Sequence, residues 1–190
     1  ALDFAFGQFD LYTPLQLAQY MSTIANGGTR IAPRLVKEIH ETSPKGGIGN
    51  LEDVIPTKIM NTLQVEKKIL DHIKEGLYRV THGENGTSSS TFKNYSPEVA
   101  GKTGTAEAFY SGPNPSYKNE AVENSTFISY APYDNPEIVV SVVAPYFKDG
   151  SPSDYAAKIA KKVYEAYFGK RSNSETNATT VNTQVHQNNR

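Results

Sequence analysis

The chain contains no cysteine. That excludes disulfides, thiolate zinc sites and a cysteine nucleophile, although the same absence suits an exported and a cytosolic protein equally. An excess of one charge is missing too: 19 Lys and Arg against 20 Asp and Glu leave a formal net charge of −1. Phosphate binding takes a basic stripe, so no nucleic-acid partner is expected. No apolar run approaches the roughly eighteen residues that a membrane span needs, and the first residues lack the charged-then-apolar layout of a signal peptide. The histidines His40, His72, His82 and His186 have neither metal-ligand spacing nor an accompanying carboxylate set. They read as surface or packing residues, and neither a metal nor a cofactor is expected.

What is present suffices for one ordinary domain: 190 residues, 37% of them hydrophobic, a length that can bury a real core. The opening "ALDFAFGQF" carries three aromatics ahead of the first helix. Ala1 therefore reads as a cut inside a larger protein. Thr13-Pro14-Leu15-Gln16 opens a helix, with Thr13 as N-cap and Gln16 closing a capping box; Leu17, Met21 and Ile24 follow on one face, and Gly27-Gly28 stops it. "TRIAPRLVKEI" reads as extended and Thr42 to Asn50 as a loop. A second helix is predicted over Val65 to Thr81, with Val65, Ile69, Ile73 and Leu77 as its apolar stripe. His82 to Pro97 reads as a long polar connection.

Three strands come next: Glu98 to Tyr110, then Ser125 to Pro132, and a third starting at Glu137, the last two forming a hairpin through Tyr133-Asp134-Asn135-Pro136. Ile138 to Ala144 is almost unbroken in apolar residues, which predicts cover on both faces. Ser151-Pro152 opens a last helix with Ala156, Ile159, Ala160, Val163 and Tyr167 as its stripe, ending at Gly169. Residues 170–190, rich in Asn, Thr and Ser, read as a disordered tail. The fold class is α/β (α+β), an antiparallel sheet flanked by helices, with one domain over 1–169. Asn85-Gly86-Thr87, Asn124-Ser125-Thr126 and Asn177-Ala178-Thr179 match glycosylation acceptors, as short motifs do by chance.

One stretch decides the chemistry, "SPEVAGKTGTAEAFY" from Ser96 to Tyr110. Gly101-Lys102-Thr103 resembles the end of a phosphate-binding loop, yet the glycine that such a loop needs five residues earlier is Ser96. Pro97 removes an amide donor, and Gly104 falls where a helix should start. A strand fits better. Alternate residues of an extended chain share a side, so Thr103, Thr105 and Glu107 face together. Gly104 leaves the backbone open to a ligand. A lysine, two hydroxyls and free amides on a sheet edge can hold a carboxylate and an oxyanion, which suits acyl transfer; a solvated Thr-rich strand is the plainer reading of the same spacing.

Lys102-Thr103-Gly104-Thr105 resembles the Lys-Thr-Gly motif of penicillin-binding transpeptidases and serine β-lactamases. The wider match is to class B penicillin-binding proteins: Gly7-Gln8, Thr13-Pro14-Leu15-Gln16, Ala18, Ala25-Asn26-Gly27-Gly28 and Pro33, followed in family order by "GKTGTAE" and "FISYAPYDNPEIVVSVVAP". The resemblance covers about Phe6 to Phe168. It implies a serine D,D-transpeptidase that attacks the penultimate D-Ala carbonyl of a peptidoglycan stem peptide, passes the acyl group to a neighbouring amine, and is acylated by β-lactams. It implies that Lys102 lies beneath the cleft and adds positive potential, and that Thr103 binds the carboxylate. Thr105 would offer its backbone N–H to the oxyanion, and the location would be the outer face of the bacterial cytoplasmic membrane. Glu107, on the Thr103 side, would either tune an anionic ligand or sit as a solvated rim residue.

The family's Ser-x-x-Lys has one match, Ser90-Thr91-Phe92-Lys93. It lies in a serine-rich loop that runs into Asn94-Tyr95-Ser96-Pro97, where no long helix can hold serine and lysine one turn apart, and we reject it. No Ser-x-Asn occurs. The chain therefore reads as the C-terminal half of a transpeptidase domain, inactive alone, with the missing N-terminal half as its partner. In the family two upstream strands pair with the strand around Val140, so without them that strand becomes a free edge. The chain is then expected to be a fragment, to be nicked from a larger chain, or to pair with a copy of itself. A serine β-lactamase, a β-lactam sensor and a non-catalytic wall-binding module are the competing readings.

Overall fold

The computed structural model of the protein describes residues 10–147 and 154–169. The aromatic opening, Ser151-Pro152, His186, Asn177-Ala178-Thr179 and the Asn/Thr-rich stretch 170–190 lie outside the described residues.

Helix α1 (Pro14–Ala25) starts as its sequence dictates: the Thr13 side chain accepts from the Gln16 amide while Gln16 Oε1 accepts from Thr13 N–H. It ends where Gly27 and Gly28 take φ of +86° and +107°, values that a Cβ resists. Asn26 then ties the turn to the next strand through both side-chain atoms, which bond the backbone of Thr29. Strand β1 (Thr29–Ile31) pairs antiparallel with β4 (Ile59–Thr62), and the hairpin of β2 (Glu38–Thr42) and β3 (Ile48–Val54) is nested between them.

The sequence reading missed most of this nested pair. Thr42 to Asn50 is not a loop throughout: Gly46 and Gly47, at φ of +77° and +84°, reverse the chain tightly enough for pairing to resume at Ile48. Helix α2 (Lys67–His82) follows, and the short helix α3 (Ser89–Phe92) interrupts the connection expected to be polar. Phe92 there is fully buried.

The central sheet is antiparallel with order β5-β6-β7, from β5 (Ala100–Phe109), β6 (Ala121–Ala131) and β7 (Ile138–Phe147). Alternation sorts its side chains. Phe127, Ala131, Val140 and Val142 pack with Phe92 and with Ala156, Ala160 and Tyr164 of helix α4 (155–169). On the other face Ala100, Tyr130, Ile128 and Val139 pack with Met21 and Ala25 of α1 and with Leu77 and Tyr78 of α2. The protein is thus a mixed α/β fold, with helices on both faces of an antiparallel sheet.

Both later helices turn only part of the expected stripe inward: Leu77 of α2 and Ala156 and Ala160 of α4 pack as expected, the rest do not. Val65, Ile69 and Ile73 are 44%, 45% and 41% exposed, whereas Leu70 and Thr81 are buried. Lys74 lies on the inner side and donates to the Ala25 carbonyl at 2.8 Å, closing the end of α1. In α4 the buried residues are Ala156, Ala157, Ala160 and Tyr164, with Ile159 and Val163 half-exposed. Small alanines let this helix approach the sheet more closely than branched side chains would. β7 has cover on both faces from Ile138 to Val142, but Val143 is exposed at 36%.

Candidate active site

Lys102, Thr103, Gly104 and Thr105 are the third to sixth residues of β5, an outer strand of the central sheet. Among the described residues no strand pairs with that outer side, so it forms an open edge. The register sets Lys102 against Ile128, Thr103 against Phe127, Gly104 against Thr126 and Thr105 against Ser125. Opposed residues of antiparallel strands share a face. Lys102 therefore belongs to the α1 face, and Thr103 and Thr105 belong to the α4 face.

Lys102 is exposed, and its Nζ donates to the Thr103 carbonyl at 2.6 Å. The Thr103 hydroxyl lies 2.8 Å from that of Thr87, in the connection after α2. Thr105 is exposed, and its buried partner Ser125 accepts from the Ala156 amide in the first turn of α4 at 3.4 Å. A Cβ on Gly104 would fall 2.3 Å from the Thr126 hydroxyl, and one on Gly101 would fall 2.6 Å from the Phe127 ring and 2.8 Å from Ser129 Cβ. Gly101 is thus required by β6, a reason independent of any ligand, whereas at Gly104 the Thr126 hydroxyl alone stands in the way.

Glu107 lies two residues beyond Thr105 on the same face, about 7 Å further along the strand, directly opposite Glu123. The two carboxylates share a hollow of about 410 Å³ with Phe109, Val122 and Phe147, separate from the lysine and threonines. Ser90 and Thr91 point toward Asp154, with hydroxyl-to-carboxylate distances of 3.4 and 3.3 Å, and Lys93 caps a four-residue helix. Ser90 thus faces the start of α4. Among the described residues no cluster of three His, Cys, Asp or Glu side chains is placed to hold a metal ion, and no helix is long and apolar enough to cross a membrane.

Sequence reasoning missed three participants around this strand. Thr81 donates to the Val99 carbonyl at 2.5 Å, and Tyr78 donates to Glu98 Oε1 at 2.8 Å, so the end of α2 is tied to the entrance of β5. In the sequence Thr87 stands out only as part of the short motif Asn85-Gly86-Thr87, whose spacing carries no information about β5. The bond to Glu98 also raises the Tyr78 phenol above its usual range, because the carboxylate holds its proton in place.

The family described as the penicillin-binding protein transpeptidase domain matches residues 1–165. Penicillin-binding protein 2A of Bacillus subtilis (strain 168) is 40% identical over 180 residues, which are 94% of this chain and 25% of that protein. Penicillin-binding protein 2B of Streptococcus pneumoniae (strain D39) is 42% identical over 144 residues, 75% of this chain and 20% of that one. The solved structure of penicillin-binding protein 2B from Streptococcus pneumoniae (strain R6) superposes with a TM-score of 0.71 at 35% identity, covering 87% of this chain and 26% of the other. The chain spans about a quarter of the length of the curated relatives it matches.

Proposed function

The chain belongs to the penicillin-binding protein transpeptidase family, and from that membership we propose that it forms one wall of the acyl-transfer cleft of a peptidoglycan D,D-transpeptidase. In this reading the donor is a stem peptide ending in D-Ala-D-Ala. A serine outside residues 1–190 attacks the penultimate carbonyl, its proton leaves with the terminal D-Ala, and a neighbouring strand's amine then takes the acyl group. β-Lactams acylate the same serine. The enzyme works at the outer face of the bacterial cytoplasmic membrane.

Within β5 the roles divide by face and by edge. Lys102 places an ammonium on the α1 face, where it raises the positive potential around the nucleophile. Thr103 donates its hydroxyl to the carboxylate of the donor peptide or β-lactam. Thr105 supplies a backbone N–H from the open edge to the oxyanion that forms on attack; one such donor accounts for about 10²–10³ in rate. Glu107, four residues from Thr103, repels an anionic ligand only weakly at that range and trims specificity at most. The observation that carries this proposal is the open outer edge of β5, with a lysine and two threonines flanking a glycine.

The upstream part of the same domain is the proposed partner. It would face the outer side of β5 across the cleft and complete the sheet beside β7. Labelling with a fluorescent penicillin tests the acylating cleft and the part this chain plays in it. The full polypeptide containing this chain should be acylated stably, Lys102→Ala should slow acylation by about a hundredfold or more, and residues 1–190 alone should take no label. Label on residues 1–190 alone, or a full-speed Lys102→Ala variant, would refute the assignment.

A further inference from the structure

The Thr87–Thr103 contact joins the proposed carboxylate-binding hydroxyl to a residue that nothing else in the site accounts for. Its 2.8 Å separation is a full hydrogen bond between two hydroxyls. Each hydroxyl has one proton and two lone pairs, so one of the pair must donate and the other accept.

The segment carrying Thr87 is held firmly. Gly83 N–H donates to Arg79 O at 2.9 Å, Gly86 N–H to Gly83 O at 3.0 Å, and Ser88 N–H to Val80 O at 2.9 Å. Gly86 lies flat against the last turn of α2: a Cβ there would come within 2.4 Å of Arg79 O and 2.5 Å of Val80 O. Immediately after Thr87 the chain dives inward, with Ser88 fully buried and Phe92 in the core beside Phe127. The same helix end grips the entrance of β5 through the Thr81–Val99 bond. Thr87 is exposed, but the segments on either side of it are tied to α2 and the core, which holds its hydroxyl beside that of Thr103.

We propose that Thr87 is the positioning residue of the carboxylate subsite, and that it sets the preference for an anionic acyl donor over a neutral one. The inference rests on the reading of Thr103 given above. When Thr87 donates to Thr103, one lone pair of the Thr103 oxygen is occupied and its own proton is left for the ligand. A carboxylate accepts that proton in a charge-assisted bond, which the upstream donor strengthens by polarising the hydroxyl. A neutral ester in the same place gains far less from the arrangement. Without Thr87 the Thr103 hydroxyl turns freely, and its proton is lost to other acceptors for much of the time.

The test uses the full transpeptidase polypeptide, benzylpenicillin as the anionic probe and its methyl ester as the neutral one. Second-order acylation constants are measured for the parent, Thr87→Val, Thr87→Ser and Thr103→Val. The parent should prefer the anion. Thr87→Val should slow acylation by the anion about three- to tenfold, the worth of one hydrogen bond, and leave the ester within about twofold. The loss should fall on apparent binding, not on the limiting acylation rate, and should disappear in Thr87→Ser, which restores the hydroxyl. Thr103→Val should erase the preference altogether. Equal losses for both probes, as damage to the fold would produce, overturn the inference; so does an unchanged Thr87→Val or a failure of Thr87→Ser to restore. A parent that neither probe acylates overturns the transpeptidase reading instead, so the two failures are distinct.

Discussion

Gly104 illustrates how a single missing methyl serves the strand before it serves a ligand. Its α-carbon faces Thr126, whose hydroxyl oxygen would be 2.3 Å from an added Cβ, while the next atom, Thr126 Cβ, stays at 3.7 Å. The clash is with one atom. Gly104→Ala should lower stability by about 1–3 kcal/mol through overpacking, and adding Thr126→Ala should return most of the loss, a coupling of about 1 kcal/mol or more. Urea unfolding of the four proteins in the cycle measures it; additive losses would show that strain in β5 itself, not Thr126, sets the requirement. Gly101 admits no such rescue, because its added carbon would meet the Ile128 carbonyl and Ser129 Cβ as well as the Phe127 ring. At this scale the strand character of Lys102 to Thr105 could be read from the alternation of threonines about Gly104. The Thr87 contact could not, since it exists only once α2 has carried the chain back to β5.

Among the elements, α4 is pinned to the sheet by a polar bond inside the apolar layer. Tyr164 OH and Ser129 Oγ, both on fully buried residues, lie 2.8 Å apart. Burial raises the Tyr164 phenol above its ordinary range and outweighs the lowering effect of Ser129; it raises Tyr130 as well. The sign follows directly. In the unfolded chain these phenols ionise near pH 10, whereas in the fold they stay neutral to higher pH. Their contribution to stability is therefore complete below about pH 10 and declines as the pH rises beyond it. Urea unfolding between pH 9 and 11 should show a steepening loss, and Tyr164→Phe should make it shallower by about 1.4 kcal/mol per pH unit. An unchanged slope would mean that the ring ionises freely.

The three long strands and three main helices were legible because β-branched runs, the capping box at Thr13 and amphipathic stretches mark them locally. The pairs β1–β4 and β2–β3 were not. "IGNLEDV" (Ile48–Val54) is poor in strand formers, and it extends because Gly46 and Gly47 fold it back on its neighbour. Nor could periodicity tell which flank of α2 turns inward, since Ile69, Leu70, Ile73 and Leu77 together make an apolar band wider than the contact.

For the molecule as a whole, the dominant feature is the outer side of β7. Among the described residues it has no partner strand, although Ile138, Val140 and Val142 belong to the core beneath it. An apolar edge of this kind recruits another strand. Residues 1–190 alone should associate in a concentration-dependent manner on size-exclusion chromatography, and Val143→Lys, which charges the strand at its exposed position, should shift them toward the monomer. A parent chain that stays monomeric at every concentration would show that this edge is already satisfied.

The nested arrangement of β2 and β3 between β1 and β4 has a further consequence. Leu63 N–H meets Gly28 O, and Ala32 N–H meets Lys58 O, so the chain leaves for the excursion and returns from it at adjoining points of a narrow neck. A neck that brings departure and arrival together makes the size of the detour nearly irrelevant to the body it leaves, because closing a longer detour adds only a logarithmic entropy. Related proteins are free to lengthen, shorten or reshape this protrusion, while the architecture that holds Lys102 and Thr103 goes undisturbed.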